Sequence, residues 1–254
     1  MDIALQLAKE LQIKKEQVDV TIKLIDEGNT IPFIARYRKD VTGNLNDEVL
    51  RNLNERLTYL RNLTEKQEQV ISSIEEQGKM TEELRKQILE ATTLVAVEDL
   101  YRPYRPKRKT RAGIAKEKGL EGLAELILAQ ETIEPLEKCA ESYISEEKGV
   151  ATVEEAIAGA RDIIAEMISD DAAHRTYIRE ATMDEGIIMS SLKKEEKEKI
   201  FEMYYEYSEP VKKVAGHRVL ALNRGEKEEF LKVSIDVEKE MILNFLCSEM
   251  ITCQ

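Results

Sequence analysis

The strongest chemical signal in the sequence is a short basic segment, YRPYRPKRKTR (101–111). Two tyrosines, Tyr101 and Tyr104, lie among its six cations, which are Arg102, Arg105, Lys107, Arg108, Lys109 and Arg111. Guanidinium groups suit phosphate oxygens, and a tyrosine ring can stack on an unpaired base. Pro103 and Pro106 exclude a helix through the segment and are expected to keep its backbone extended. The segment therefore predicts contacts to nucleic-acid phosphates.

The charge of the remaining chain leaves a second interpretation open. The formal net charge is −12, yet residues 102–118 hold eight basic side chains and one acidic side chain. Such a run repels itself unless opposite charge compensates it. The segment therefore either binds an external polyanion or crosses an acidic surface of its own chain in structural ion pairs. A smaller cluster, Arg36, Arg38 and Lys39 around Tyr37, stands beside Asp40 and is interpreted as structural.

No pattern typical of catalysis or metal binding accompanies these cations. The sequence lacks GxxxxGK[ST], GxGxxG, HExxH and GxSxG. His174 and His217 are isolated, and His174 is expected at a helix surface or as a capping residue. Cys139, Cys247 and Cys253 do not have zinc-site spacing, and their odd number favours reduced thiols in the cytosol. We therefore predict no catalytic residue, no metal site and no cofactor.

Helices must position the basic segment, because helical periodicity dominates the sequence. The longest unbroken pattern predicts a helix over 47–77, about 46 Å long at ~1.5 Å per residue. Thr64 and Gln67 interrupt its heptad, which favours an intramolecular spine over a two-stranded coiled coil. Thr110 is expected to cap a further helix, and Thr152 with Glu155 forms a capping box. Other helices are predicted near 3–11, 15–27, 82–91, 94–101, 121–129, 171–185, 193–207 and 236–254.

Strand character appears only in the last quarter of the chain. Leu231, Val233 and Ile235 alternate with polar residues, and Arg224-Gly225 could turn the chain. We expect at most one short β hairpin or strand near 217–235, so the predicted fold class is mainly α. The longest apolar runs are only a few residues, which predicts neither a transmembrane helix nor a signal peptide.

The predicted helices and strand suggest two domains. A soft boundary near 131–151 separates an N-terminal helical domain, 1–130, from a second helical region, 131–254. The first contains the long helix over 47–77 and the basic loop at 102–111. The second is expected to lead toward downstream domains.

Five longer strings in the sequence carry a further signal: IPFIARYRKDVTGNL (31–45), EVLRNLNERLTYLRNL (48–63), EDLYRPYRPKRKTRAGIAKEKGLEGLA (98–124), VEEAIAGARDIIAEMISDDAAHRTYIRE (153–180) and HRVLALNRGEKE (217–228). They are collinear, span nearly the whole chain and resemble the N-terminal region of the Tex family of bacterial transcription accessory proteins. The resemblance implies a cytoplasmic, elongated, largely helical protein with helix-turn-helix-like packing. It also implies nucleic-acid binding and an influence on transcription. Full-length relatives add RNase H-like, helix-hairpin-helix and S1 modules, none of which is in this chain.

Residues and resemblance together predict a non-catalytic helical module of a Tex-like transcription accessory protein. It would bind RNA or DNA weakly and without sequence specificity, through phosphate contacts of the six cations in the basic segment. The alternative is a protein–protein interaction scaffold within the transcription machinery, in which an exposed apolar strip docks a partner helix.

Overall fold

A computed structural model describes residues 2–194 and 199–252 of the chain. In this part the chain forms thirteen α-helices and one small antiparallel sheet, which confirms the mainly α fold class. The chain divides into two compact units, Met1–Tyr101 and Arg102–Gln254. None of the described helices combines the length and the apolar character that crossing a bilayer requires. The helix-turn-helix-like packing that the resemblance implies stays a prediction.

The first unit is built around its longest helix. Its elements are α1 (Ile3–Leu11), α2 (Lys15–Asp26), α3 (Ile31–Tyr37), α4 (Asp47–Glu76), α5 (Glu82–Glu90) and α6 (Leu94–Tyr101). The Asn46 side chain caps α4 by accepting a hydrogen bond from the Val49 N–H at 2.8 Å. Gly78, with φ +66°, follows the end of α4 in the left-handed conformation that glycine tolerates. Local signals therefore fix both ends of this helix close to their predicted positions.

One face of α4 forms the spine of the first unit. Leucines at helical spacing on that face are fully buried, among them Leu50, Leu53, Leu60 and Leu63. The other five helices of the unit pack against α4 or against its neighbours, which confirms an intramolecular spine.

Ion pairs at the rim of the spine hold α1 and α2 to α4. The Arg56 guanidinium donates to Glu10 at 2.6 Å and lowers the pKa of that carboxyl group. Arg61 donates to Asp26 at 2.7 Å and lowers its pKa in the same way. These ion pairs help to fix the orientation of α1 and α2 relative to α4.

Gln67 is a polar residue in the apolar face of α4. It is buried because its amide hydrogen-bonds to the C-terminal end of α5. Its amide donates to the carbonyl oxygens of Ile88 at 2.8 Å and Ala91 at 3.1 Å. Carbonyls at a helix C-terminus have no partner within the helix, so a buried end needs such a donor. The interruption of the heptad at this position is therefore a tertiary contact between α4 and the end of α5.

Gln67→Leu should lower the free energy of unfolding by about 1 to 1.5 kcal/mol, because it leaves buried carbonyls of α5 without a donor. Urea denaturation followed by far-ultraviolet circular dichroism measures the change. Gln69→Leu is the matched control, because the exposed Gln69 side chain bonds to Glu65 on the surface and to no other described residue. Equal stability of Gln67→Leu and the wild type would contradict the role of this amide.

The second unit surrounds a long helix that carries the basic segment on one side. Its helices are α7 (Arg111–Glu117), α8 (Glu121–Ala129), α9 (Leu136–Glu141), α10 (Val153–Asp170), α11 (Ala172–Glu185), α12 (Gly216–Lys227) and α13 (Lys239–Met250). Three short 3₁₀ turns cover Arg102–Tyr104, Glu202–Tyr204 and Val211–Lys213. At the start of α10, Thr152 accepts from the Glu155 N–H as predicted, but the Glu155 carboxylate accepts from the Ala151 N–H and not from the Thr152 N–H, so only half of the predicted capping box forms.

Helices α7 and α8 share a core with α10. Ala115 and Leu120 pack near Gly159 of α10, where an added Cβ would lie 2.3 Å from a Leu120 methyl carbon. Glycine therefore permits this close approach. Because of this packing, residues 102–129 lie in the second compact unit, whereas the sequence placed them in an N-terminal domain ending at residue 130. The boundary after residue 130 stays a prediction.

The sheet has three antiparallel strands in the order β2-β1-β3, with β1 (Ile187–Leu192), β2 (Glu206–Pro210) and β3 (Leu231–Asp236). In the central strand, Ile188 lies opposite Glu209 of β2 and Ile235 of β3. The strand predicted from the alternation at 231–235 is confirmed as β3. The sequence did not predict β1 and β2, because their partners lie far along the chain and their own alternation is weak.

Two predictions near this sheet are wrong. The predicted helix at 193–207 is replaced by a 3₁₀ turn and β2 in its described part; residues 195–198 of it lie outside the described residues. The turn expected at Arg224-Gly225 is absent, because these residues lie inside α12; of the hairpin or strand expected near 217–235, the strand alternative holds as β3. An added Cβ at Gly225 would lie 2.6 Å from Leu231, so this glycine lets α12 pack against β3 instead of turning the chain.

Candidate nucleic-acid interface

The basic segment begins as a turn and not as an extended strand. Arg102–Tyr104 forms a 3₁₀ turn directly after α6, and the fixed φ of Pro103 is compatible with it. The prediction of an extended backbone is therefore wrong for these three residues. At the other end, the Thr110 side chain accepts a hydrogen bond from the Gly113 N–H at 2.9 Å and caps α7, as predicted. Arg102 thus begins the turn, Arg111 begins the capped helix, and the other four cations lie between the two elements.

Helix α10 presents an acidic stripe to the segment. Asp162, Glu166 and Asp170 are four residues apart, so their side chains share one face of the helix. Arg102 donates from Nε to Asp170 at 2.9 Å. Lys107 bonds to the other oxygen of the same carboxylate and lies 3.3 Å from Glu166. Since the Asp170 side chain is only 10% exposed, these two cations are anchors within the fold.

The other end of the acidic stripe makes a weaker contact. Arg111 Nε lies 3.6 Å from Asp162, but the Arg111 side chain is 86% exposed. Solvent screens such a pair, so it leaves most of the Arg111 charge available. Arg105 is exposed as well, and it is not without a partner.

Arg108 and Lys109 are different from the anchors. Both side chains are exposed, and within residues 2–194 and 199–252 neither makes a hydrogen bond or an ion pair. We call Arg108, Lys109 and Arg111 the cationic tip. The structure thus divides the basic segment: Arg102 and Lys107 form internal ion pairs, and the cationic tip remains open to solvent. The interpretation as internal ion pairs therefore holds for Arg102 and Lys107, whereas binding of an external polyanion stays a prediction for the cationic tip.

The two tyrosines of the segment are not equally available for stacking. The Tyr101 hydroxyl is hydrogen-bonded to Ser73 at 3.0 Å, and the Lys66 ammonium lies 5.9 Å from its ring. Tyr101 therefore belongs to the packing of the first unit. Tyr104 is half-buried. The two tyrosines therefore offer less stacking surface than the sequence predicts.

The second basic cluster also differs from its interpretation. Arg36, Arg38 and Lys39 are exposed, and none forms an ion pair with any residue in the described part of the chain. The Arg38 guanidinium instead lies 5.5 Å from the centre of the Phe33 ring. Among the described residues Asp40 does not compensate these cations, because it is exposed, and the contact of Arg38 with Phe33 is the structural contact that the cluster makes. The sequence could not show this, since adjacent opposite charges do not fix side-chain direction.

His174 is buried, which corrects its expected surface position. Its backbone N–H is capped by Asp171 at 2.8 Å, while its ring nitrogen Nδ1 lies 3.2 Å from the Ile168 carbonyl oxygen. The turn between α10 and α11 points the ring inward, edge-on to Phe245. The described residues contain no group of three or more His, Cys, Asp or Glu side chains arranged to hold a metal ion.

Two family descriptions match this chain, one in its N-terminal part and the other in its C-terminal part. Residues 1–75 match the Tex-like protein N-terminal domain, and residues 130–253 match the Tex central region-like description.

The chain belongs to the Tex family.

Individual relatives agree with this assignment along almost the whole chain. Protein YdcI of Bacillus subtilis is 47% identical over 249 residues, which are 97% of this chain and 35% of the relative. The transcriptional accessory protein Tex of Neisseria gonorrhoeae is 41% identical over 94% of this chain and 32% of its own length. The human S1 RNA-binding domain-containing protein 1 is 34% identical over 85% of this chain and 22% of its own length. The chain thus spans about a third or less of these curated relatives.

The basic segment lies between the two matched Tex regions. The first match ends at residue 75 and the second begins at residue 130, whereas the segment occupies 101–111. Its partners Asp162, Glu166 and Asp170 lie within the second match. The ion pairs of Arg102 and Lys107 therefore attach this intervening segment to the central Tex region.

Proposed function

We propose that this chain is a non-catalytic helical module of a Tex-type transcription accessory protein in the cytoplasm, and that it binds RNA or DNA weakly through the cationic tip. The observation that carries the proposal is the exposure of Arg108 and Lys109 without any partner in the described chain, beside the 86% exposed side chain of Arg111. The names of the gonococcal and human relatives, which refer to transcription and to RNA binding, support this choice.

The anchors explain how such a weak site keeps its position. Arg102 and Lys107 hold one end of the segment on α10 and the Thr110 cap fixes the other end, so Arg108 and Lys109 lie between two attached points and Arg111 begins α7. Less conformational entropy is then lost when the tip binds. The three tip cations contact phosphates and read no base edges, so binding is not sequence-specific. The net charge of −12 repels a polyanion elsewhere, which keeps the affinity low.

The slope of log affinity against log salt concentration should report how many cations contact phosphates. Three contacts predict a log–log slope of about −2 for a single strand, whereas contacts by all six cations would give about −4. Fluorescence anisotropy with labelled oligo(dT) and oligo(U) over a series of salt concentrations measures the slope. A slope near −4 would show that cations outside the cationic tip also contact phosphates. A slope near zero would reject phosphate binding altogether.

A protein–protein interaction scaffold within the transcription machinery is the alternative function. Exposed large apolar side chains in the second unit favour it, among them Met203, Leu220 and Leu243. Titration against purified RNA polymerase core enzyme tests this alternative directly. Binding that persists when the cationic tip is reversed would assign the chain to the scaffold class, and absence of binding would remove the alternative.

A further inference from the structure

Two aromatic rings are exposed side by side at the end of α3. Phe33 and Tyr37 are one helical turn apart, and their ring centroids are 5.2 Å apart with an interplanar angle of 46°. Phe33 is 37% exposed and Tyr37 is 61% exposed. We call Phe33, Tyr37 and the three neighbouring cations Arg36, Arg38 and Lys39 the aromatic–cationic patch.

Burial in the first unit does not require these rings. Helix α3 is held by Ile34, which is fully buried with Leu24, Leu45 and Leu50. Phe33 and Tyr37 therefore lie on the face of α3 that this core does not use. Contiguous exposed aromatic rings cost solvation free energy, and such a patch marks a binding surface more often than a single exposed side chain does.

The charges around the rings indicate the kind of partner. Arg36, Arg38 and Lys39 form no ion pair in the described part of the chain, and Asp40 is the one acidic neighbour within the segment 36–40. Arg38 lies over the Phe33 ring at 5.5 Å, which leaves the more exposed Tyr37 ring as the stacking surface. Rings among unpaired cations are the combination that binds single-stranded nucleic acid without sequence preference.

We propose that the aromatic–cationic patch binds an unpaired nucleotide, with its base stacked on Tyr37 and its flanking phosphates held by Arg36 and Lys39. Stacking requires an unpaired base, so the patch selects single strands over duplex. An apolar protein segment fits less well, because the exposed rings lie among three cations. The proposal shares with the proposed function the assumption of a nucleic-acid ligand, but it uses none of the cationic-tip residues.

The absence of tryptophan from this sequence gives a direct test. Tyr37→Trp places a single tryptophan at the stacking position, and a stacked base is expected to quench its fluorescence. Titration with oligo(dT) should quench the emission, whereas a blunt duplex or an abasic oligomer of equal charge should not. Quenching by the abasic oligomer, or equal quenching by poly-glutamate, would show that the patch binds any polyanion or acidic peptide and would overturn the proposal.

Two further variants separate stacking from folding and from the cationic tip. Tyr37→Ala should weaken oligo(dT) binding by about 5- to 100-fold, and Tyr37→Phe should keep the affinity because it keeps the ring. Thermal unfolding of both variants should match the wild type, since Tyr37 is exposed. The quenching of Tyr37→Trp should persist when Arg108, Lys109 and Arg111 are changed to Glu. Its complete loss there, or wild-type affinity of Tyr37→Ala, would overturn this inference without touching the proposed function.

Discussion

Reversal of the cationic tip, R108E/K109E/R111E, is expected to lower the affinity for a single-stranded oligonucleotide by about 100-fold. Each of the three exposed charge contacts contributes up to about 1 kcal/mol to the binding free energy. A change of about 1.4 kcal/mol in that free energy changes the affinity tenfold. The fold should survive, because Arg108 and Lys109 have no partners within the described residues and Arg111 is almost fully exposed. Anisotropy at low salt measures the affinity, and thermal unfolding checks the fold.

The matched control must change the net charge by the same amount at other positions. K23E/K79E/K86E does this, since these three lysines are exposed and have no partner in the described chain. We expect the control to bind within a few-fold of the wild type, because these three lysines are not among the cations proposed to contact phosphates. An equal loss of affinity in both triple variants would show that the net charge alone explains the loss. Undiminished binding by the tip variant would remove the cationic tip from the proposed function.

Asp170→Asn is expected to change stability and binding in opposite directions. The substitution removes the charge that holds Arg102 and Lys107, and its stability cost should be about 2 kcal/mol. This lies below the cost of breaking a fully buried pair, because both cations keep some contact with water. The released cations become available to phosphates, so the salt slope should steepen from about −2 toward about −3.5.

Chemical denaturation measures the stability of Asp170→Asn, and the anisotropy series measures its salt slope. Asp184→Asn is the control, because Asp184 is exposed and has no partner among the described residues, yet the change in net charge is the same. We expect the control to keep the wild-type stability and slope. An unchanged slope in Asp170→Asn, together with lower stability, would show that Arg102 and Lys107 do not reach the ligand even when released.

These predictions follow because the cations of the basic segment have two different roles. Arg102 and Lys107 contribute to the fold, and Arg108, Lys109 and Arg111 stay open to solvent. The sequence contains the same residue types in both groups, with similar spacing. Exposure and partners, and not residue type, therefore decide which of the six cations belong to the candidate interface.

Local signals explain what could be predicted without a structure. The ends of α4 follow from the Asn46 cap and from Gly78, and the start of α7 follows from the Thr110 cap. Each of these signals acts within about one helical turn, so neighbours in the sequence suffice to recognise it. The family resemblance adds little here, because periodicity and caps already predict most helices.

The sequence by itself determined a mainly α protein, its principal helices and the place of the basic segment, because these depend on neighbouring residues. The tertiary structure alone decided the central strand β1, whose partners lie in distant strands, and the buried position of Gln67, which serves another helix. It also decided the pairing of Arg102 and Lys107 with Asp170, which lies 68 and 63 positions away. Such long-range contacts depend on how helices pack, and no local pattern encodes them.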